Sequence, residues 1–333
     1  MNKTRIAVIG LGGMAQLVHL PILSKLDNIE ICAVAEKDKT KLFSVASKFG
    51  IKARYSNYAE MVDKEKIDAI IISTPTNTHK SIALECIGRK IPLLIEKPLG
   101  LDLKESIEIR DAARKGKVPV MVGMNLRFRP DSMLMKSFIS SGDFGDLFYI
   151  RSNWLRRWSS EQQWFMKKKE SGGGVLIDLG IAVIDLALWL FDYEDIKTIS
   201  AQKFNHLTTS VEDSAVALIR TKNKSSINFE ISWSMEYSKD FFGFSAYGTE
   251  GSAHLNPFKA YKRLGSNHID LSPAKSMNIK NLYRKSYENE IKHFIGIINH
   301  NYPLISSCDE AVKTMQVLEN IYSSTESESE IAL

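Results

Sequence analysis

The chain has 333 residues, of which 44% are hydrophobic and 25% charged; this is an ordinary soluble globular composition, and the length suits two domains. There is apolar material for two cores without a disulfide framework or a structural metal, and a formal charge of +5 fits an anionic cofactor or substrate but is too small to argue for nucleic acid. Cys32, Cys86 and Cys308 lie far apart and are odd in number, which gives no metal-ligand spacing and no pairing scheme, so a cytoplasmic location is expected.

The first strand-like stretch, Ile6–Ile9, is reached within a few polar residues and no secretory apolar region precedes it. A helix is expected over Met14–Lys25, a strand over Ile29–Ala35, and a helix over Lys39–Phe49. Strands follow at Ile67–Ser73, Pro92–Ile95 and Val118–Gly123, with helices at Ile82–Arg89 and Leu103–Lys115. Alternation of this kind builds a doubly wound parallel sheet, assigned to residues 1–123. From residue 124 the texture changes. Ile227, Phe229, Ile231 and Trp233 alternate with polar residues, the period of a strand with one buried face. Leu147–Arg156, Thr198–Phe204, Ser214–Arg220, Phe242–Tyr247 and Ser252–Leu255 also read as strands, and Tyr287–Asn299 and Cys308–Ser323 as helices. Residues 124–333 are therefore assigned to an α+β domain with a large open, mostly antiparallel sheet, its last helix allowed to pack back on the first domain. The apolar run Leu179–Phe191 is too short to span a bilayer and contains Asp185. The final Ser-Glu alternation is expected to fray.

Gly10-Leu11-Gly12-Gly13-Met14-Ala15 follows a strand and opens a helix, the context that turns a GxGxxA string into a dinucleotide fingerprint. Gly10 permits the turn, Gly12 lets the backbone approach a pyrophosphate, and Ala15 lets helix and strand pack closely, while the helix N-terminus offers N–H groups to phosphate. Glu36 ends the second strand, where an acid accepts hydrogen bonds from ribose hydroxyls and repels a 2′-phosphate, favouring NAD. Lys37, Lys39 and Lys41 follow and could grip that phosphate, so NADP stays open as the alternative.

Further strings accumulate in order: Ser73-Thr74-Pro75-Thr76-Asn77-Thr78-His79, Glu96-Lys97-Pro98, Asn125-Leu126-Arg127-Phe128-Arg129-Pro130, Gly172-Gly173-Gly174 leading to Asp178, Tyr247-Gly248-Thr249-Glu250-Gly251, and Tyr287-Glu288-Asn289-Glu290-Ile291. Over nearly the whole chain this resembles the Gfo/Idh/MocA family, the glucose–fructose oxidoreductase and inositol dehydrogenase group. The resemblance implies NAD(P)-linked redox chemistry on a sugar, a cyclitol or a derivative. It implies dinucleotide contacts from Gly10, Gly12, Gly13, Met14, Ala15, Glu36, Lys37, Thr74, Pro75, Asn77, His79, Glu96 and Lys97. By motif position Lys97 resembles the family's catalytic lysine. Independently, it ends a strand where open α/β sheets place their sites, and an ammonium there can stabilise charge on a reacting oxygen. Asp178 is the second catalytic candidate. Where the family pattern continues to a histidine, this chain has Ala182, which cannot relay a proton.

Candidate substrate contacts are Asn125 and Arg127 after the last Rossmann strand, Arg156 and Trp164 on the strand and loop that follow, and Asp178 with Ala182. Arg and aromatic side chains together suit a sugar ring bearing an anionic group. His19 and His79 match family-typical histidines that support structure or border the cofactor. No metal cluster, nucleic-acid partner or membrane contact is expected. A homo-oligomer, dimer or tetramer, is expected from the resemblance and from a sheet whose apolar face, marked by Ile227–Trp233, its own chain would leave uncovered. An NAD(P)-dependent dehydrogenase or reductase is the favoured reading. A non-catalytic dinucleotide-binding sensor or partner subunit, and a redox-assisted glycosidase-like enzyme, stay beside it because of Ala182.

Overall fold

Runs such as Ile6-Ala7-Val8-Ile9 and Ala69-Ile70-Ile71-Ile72 have no polar face to offer water, so they fold as strands covered on both sides. A computed structural model describes residues 3–157, 166–235, 239–274 and 279–333, and these divide into two compact units. The first comprises Met1–Met124 with Tyr287–Val312, the second Asn125–Ser286 with Lys313–Leu333. The segment Tyr287–Val312 therefore belongs to the first unit, whereas the sequence reading assigned 124–333 to the second and allowed only the last helix to pack back on the first.

In the first unit the chain runs through β1 (Thr4–Ile9), a π-helical turn (Ala15–His19) continuing as α1 (Leu20–Leu23), β2 (Ile29–Ala35), α2 (Lys39–Lys48), β3 (Ala53–Tyr55) and α3 (Tyr58–Lys64). It continues with β4 (Ala69–Ile72), α4 (His79–Gly88), β5 (Leu93–Glu96), α5 (Leu103–Gly116) and β6 (Val120–Gly123). The six strands are parallel in the order β3-β2-β1-β4-β5-β6. This is the doubly wound order whose switch point lies between β1 and β4. Side chains cap the helices that start from polar turns: Asp38 accepts from Lys41 N, Asn57 from Ala59 N and Asp102 from Glu105 N. β3 and α3 escape a reading by periodicity because Ala53-Arg54-Tyr55 is short and half-buried. Beyond β6 the sheet edge is met by the returning segment: Val122 N donates to Ser306 O at 2.8 Å and Ser306 Oγ donates to Val122 O at 2.7 Å. That contact covers backbone groups an edge strand would otherwise present.

The second unit has α6 (Pro130–Ser140), β7 (Leu147–Leu155), α7 (Lys168–Ser171), a π-helical turn (Leu176–Gly180) continuing as α8 (Ile181–Leu190), and β8 (Ile196–Phe204). Strands β9 (Ser214–Thr221), β10 (Ser226–Ser232), β11 (Phe241–Gly248), β12 (Gly251–Leu255), β13 (Lys259–Leu264) and β14 (Asn267–Asp270) follow. Of the closing elements, α9 (Ile279–His300) and α10 (Cys308–Ser327) are each divided between the units, and β15 is Ile331–Ala332. The nine strands are ordered β14-β13-β12-β11-β7-β10-β9-β8-β15. All neighbours are antiparallel except β7 and β10. The carboxyl-terminal residues do not fray: α10 runs to Ser327, and Ile331 pairs with Ile199.

One face of this sheet carries Ile150, Ile227, Phe229, Ile231, Phe244 and Ala246, all fully buried. Gly180 lies so close to Ile231 that an added Cβ would be 2.9 Å from its Cδ1. The apolar face of β10 is thus covered within the unit, which corrects the expectation that it is left for a symmetry mate. The opposite face, with Tyr149, Arg151, Asn228, Glu230 and Val216 in register, is polar and aromatic. The stretch Lys168–Leu190 has the length and composition of a membrane-crossing helix, but 89% of its most apolar part is buried inside the protein, as a core helix is.

Arg127 and Asp185 form an ion pair inside the second unit, each 1% exposed. Arg127 Nε and Nη2 donate to the two carboxylate oxygens at 2.6 and 2.5 Å, and Thr314 Oγ1 donates to Asp185 Oδ1 at 3.3 Å. Removing one member leaves a buried charge without its counter-charge, a loss of about 3–5 kcal/mol. Asp185→Ala should therefore destabilise by about that amount, read from denaturant melts followed by circular dichroism. A change under about 1 kcal/mol would show that the pair is not structural.

Candidate active site

The turn after β1 is built on missing side chains. Gly10 has a φ of +89°, and a Cβ there would lie 2.6 Å from the Ser73 carbonyl oxygen and 2.8 Å from Thr74 Cγ2. Only glycine fits such a contact in that backbone region. Gly12 and Gly13 differ: among the described residues a Cβ at either would meet nothing within 4 Å. None of these residues forbids a side chain there, so the head of the π-helical turn is an open cradle whose N–H groups could meet a phosphate. Ala15, fully buried, is the small residue at the helix packing point. Glu36 reaches back across the loop: its Oε2 accepts from Leu11 N at 2.9 Å and its Oε1 from Asp38 N at 3.1 Å, with Lys41 Nζ at 3.8 Å. The carboxylate thus stands beside the glycine turn, where it could accept from ribose hydroxyls. Lys37, Pro75 and Asn77 are exposed, and Met14 and Thr74 half-buried.

The Lys97 turn is tied to these loops from within the same unit. Glu96 is buried, with Oε1 2.8 Å from His19 Nε2. Gly123 leaves room for its second oxygen, which would be 3.3 Å from a Cβ there. His79 is also buried, with Nδ1 2.9 Å from Pro98 O and Nε2 3.0 Å from Thr74 O. Burial lowers the His79 pKa below its ordinary value. His79 and Glu96 were expected as direct dinucleotide contacts. Instead both nitrogens of His79 and the Oε1 atom of Glu96 are turned to protein partners. Lys97 itself is half-buried.

In the second unit Asp178 sits in the π-helical turn, its side chain 17% exposed. Trp233 Nε1 donates to Asp178 Oδ2 at 3.1 Å, and Arg156 Nη1 is 3.8 Å from the same oxygen. Arg156 also stacks on Trp154, its guanidinium carbon 4.9 Å from the ring centre. The turn is held from below by Glu212, whose Oε1 accepts from Gly174 N at 2.9 Å, Leu176 N at 3.0 Å and Tyr322 OH at 2.8 Å. The glycine run is a steric requirement: a Cβ on Gly173 would be 2.1 Å from Tyr322 Oη and one on Gly174 2.0 Å from Glu212 O. Burial beside Glu212 raises the Tyr322 pKa well above its usual value. Asp213 accepts from the backbone N–H groups of His206, Leu207 and Thr208 and from Ser234 Oγ. Although burial opposes it, these donors hold the Asp213 pKa below the ordinary carboxyl value.

Arg156 and Asp178 are thus brought together. Arg127 is not a substrate contact, because its guanidinium is committed to Asp185. Asn125 is buried and donates to Ser286 Oγ at 3.0 Å. Ala182 is a core methyl, 5% exposed. Trp164 lies outside the described residues. Among the described residues no group of three His, Cys, Asp or Glu could hold a metal. Glu212, Asp213, Trp233 and Tyr322 were not singled out as site residues from the sequence. The adjacent acids before a strand were the available signal for the first two, and Tyr322 had none.

A parallel sheet in this order, a glycine cradle at its switch point and an acid at the end of β2 define a Rossmann dinucleotide-binding unit. Residues 4–124 match the oxidoreductase family with NAD-binding Rossmann fold, and residues 133–254 match the GFO/IDH/MocA C-terminal domain. The chain belongs to the GFO/IDH/MocA oxidoreductase family and is an NAD-dependent oxidoreductase. It is 25% identical over 337 residues to glucose-6-phosphate 3-dehydrogenase of Bacillus subtilis (strain 168), covering 96% of this chain and 95% of that one. It is likewise 25% identical over 353 residues to D-glucoside 3-dehydrogenase of Escherichia coli (strain K12), covering 100% and 98%. The structure of levoglucosan dehydrogenase in complex with NADH and L-sorbose shares the fold, with a TM-score of 0.90 at 21% identity over 100% of this chain and 99% of that one.

The open space over Gly12 separates two kinds of glycine. Gly12→Val should keep the native melting temperature and weaken NADH binding at least tenfold in a fluorescence titration. Gly10→Ala should lower the melting temperature, because its Cβ would meet the Ser73 backbone. Equal NADH affinity in native protein and Gly12→Val would place the pyrophosphate elsewhere.

Proposed function

We propose that this protein is an NAD-dependent dehydrogenase of a hydroxyl group on a sugar, a cyclitol or a derivative, with Lys97 as its main catalytic group and Asp178 as the second. The observation that carries the reading is the open cradle over Gly12 and Gly13 beside Glu36, in a chain of this family. Gly10–Ala15 would hold the pyrophosphate, Glu36 the adenosine ribose, and the Thr74-Pro75 turn would border the dinucleotide. The bound dinucleotide supplies the hydride acceptor. Lys97 stabilises the negative charge that develops on the substrate oxygen as the hydroxyl is oxidised, and it can take up the hydroxyl proton when it is itself deprotonated. Asp178, met by Trp233 and carried on the turn that Glu212 holds, orients a substrate hydroxyl or a water that carries the proton away. Arg156, braced on Trp154, suits an anionic substituent on the ring. Glu36 favours NAD over NADP.

The buried methyl of Ala182 supports a second reading, a dinucleotide-binding protein without turnover, since the proton relay expected from a histidine is absent there. The three thiols are free and buried, in keeping with a cytoplasmic protein. We also retain the homo-oligomer, now on the polar and aromatic face of the nine-stranded sheet, where Tyr149 stacks on Tyr247 with ring centres 5.6 Å apart.

A screen of sugars, sugar phosphates and inositols against NAD+, read at 340 nm, should give NADH formation. Lys97→Ala should then lower kcat by two or more orders of magnitude, about 3–4 kcal/mol, with NADH affinity within about threefold of native. Native kcat in Lys97→Ala removes the catalytic assignment. No turnover by native protein on any member of the screen favours the second reading. Light scattering at micromolar concentration should give a mass above that of one chain; a monomer would refute the oligomer.

A further inference from the structure

Two buried imidazoles, on different elements of the first unit, contact the residues immediately before and after Lys97. His19 Nε2 is 2.8 Å from Glu96 Oε1, and His79 Nδ1 is 2.9 Å from Pro98 O. Both histidines are sealed from water, at 0% and 1% exposure. Each is anchored at its other end in a loop assigned to the dinucleotide. His19 ends the π-helical turn that continues the glycine loop. The buried, neutral His79 ring carries one N–H, assigned to Nδ1 facing Pro98 O, so Nε2, 3.0 Å from Thr74 O, makes no hydrogen bond and the ring meets Thr74 by packing; Thr74 in turn packs on Gly10. Among the described residues His19 Nδ1 has no hydrogen-bond partner, so there the bond to Glu96 is the ring's one polar tie. Such a bond in a water-free interior is directional and strong.

We propose that His19 and His79 are positioning residues that fix the Lys97 turn to the dinucleotide loops, one through the Glu96 carboxylate and the other through the Pro98 carbonyl. This rests on the reading of Lys97 as the reactive lysine. A lysine stem has four rotatable carbons, so where its ammonium can reach is set by the backbone it hangs from. Clamping the residues on both sides fixes that origin, and with it the orientation on which rate depends steeply. The same two histidines carry the loops that would hold the dinucleotide, so the lysine and the hydride acceptor share one frame.

The test separates a nitrogen-specific role from mere core filling. Acetylation of Lys97 by sulfo-NHS-acetate, relative to exposed Lys117 of the same unit, is measured by peptide mass spectrometry on the full chain, with NADH affinity measured alongside. His19→Gln keeps a donor where Nε2 stood, and His79→Asn keeps one where Nδ1 stood. Both should leave the Lys97 labelling ratio within twofold of native. His19→Leu, which has no donor, and His79→Gln, whose donor sits on the Thr74 side, should raise it at least threefold as the turn loosens. Should the leucine variant fail to fold, His79→Asn against His79→Gln still decides. Equal labelling in that amide pair, or in His19→Gln and His19→Leu, overturns the proposal. Native turnover in Lys97→Ala overturns the catalytic reading instead, whatever the labelling shows.

Discussion

The contact between Gly10 and the Ser73 backbone is the constraint on which the first unit depends. A peptide unit can come that close only to a residue without a Cβ, and the positive φ of Gly10 then turns the chain out of β1 toward its helix. The hydrogen bonds on either side agree with it. Gly10 N donates to Ala35 O, Ser73 N donates to Ile9 O, and Ser73 Oγ donates to Gly10 O. The ends of β1, β2 and β4 are thereby drawn to one place, and it is there that the cradle over Gly12 and Gly13 opens. Glu36 and the two buried histidines add side-chain ties to this backbone arrangement, but they presuppose it.

The second unit repeats the device with different residues. Gly173 and Gly174 let Tyr322 and the Glu212 backbone approach the chain directly beneath the turn that carries Asp178. Glu212 uses one oxygen for three donors, two from that turn and one from Tyr322. The Asp178 carboxylate is then met from above by Trp233 Nε1. Trp233 is itself placed through its backbone, since its N–H donates to Asp213 O at 2.8 Å. Asp213, with donors from three successive backbone N–H groups, is a fixed point in this scheme. The proposed reacting residues are thus only partly exposed, on turns held by more deeply buried ones such as Glu212 and Asp213. This is the division between reacting groups and supporting shell that accurate positioning requires.

The legible parts of the sequence were those in which a local rule acts alone. Apolar runs gave the parallel strands, because burial on both faces leaves no other composition. The period of two gave β10 and its buried face. Gly10 through Ala15 and Glu36 were readable because a short backbone motif does the work. What escaped depends on partners distant in the chain. Arg127 looks like a ligand-binding arginine until Asp185, 58 residues away, is found to match both donors of its fork. Glu96 and His79 follow the dinucleotide motifs in sequence, yet their polar atoms point into the protein. Ile331–Ala332 becomes a strand only because the edge of β8 is there to pair with, although the serines and glutamates before it resemble a loose tail.

Both glycine turns lead into a π-helical turn, Ala15–His19 in one unit and Leu176–Gly180 in the other. A widened turn shifts the angular position of every later residue relative to those before it. Asp178 lies in the π-helical turn and Ala182 in α8, so the four-residue step between them crosses that change of geometry. Ala182 then sits in the apolar wall of α8, between Ile181 and Val183, which are 0% and 1% exposed. An imidazole at that position would have to bury its polar nitrogens, at a cost unless a partner met them. A methyl carries no such requirement and lets α8 pack as a continuous core helix. In this chain the wall behind Asp178 is thus built for packing, while Trp233 donates to the carboxylate and Glu212 holds the turn that carries it.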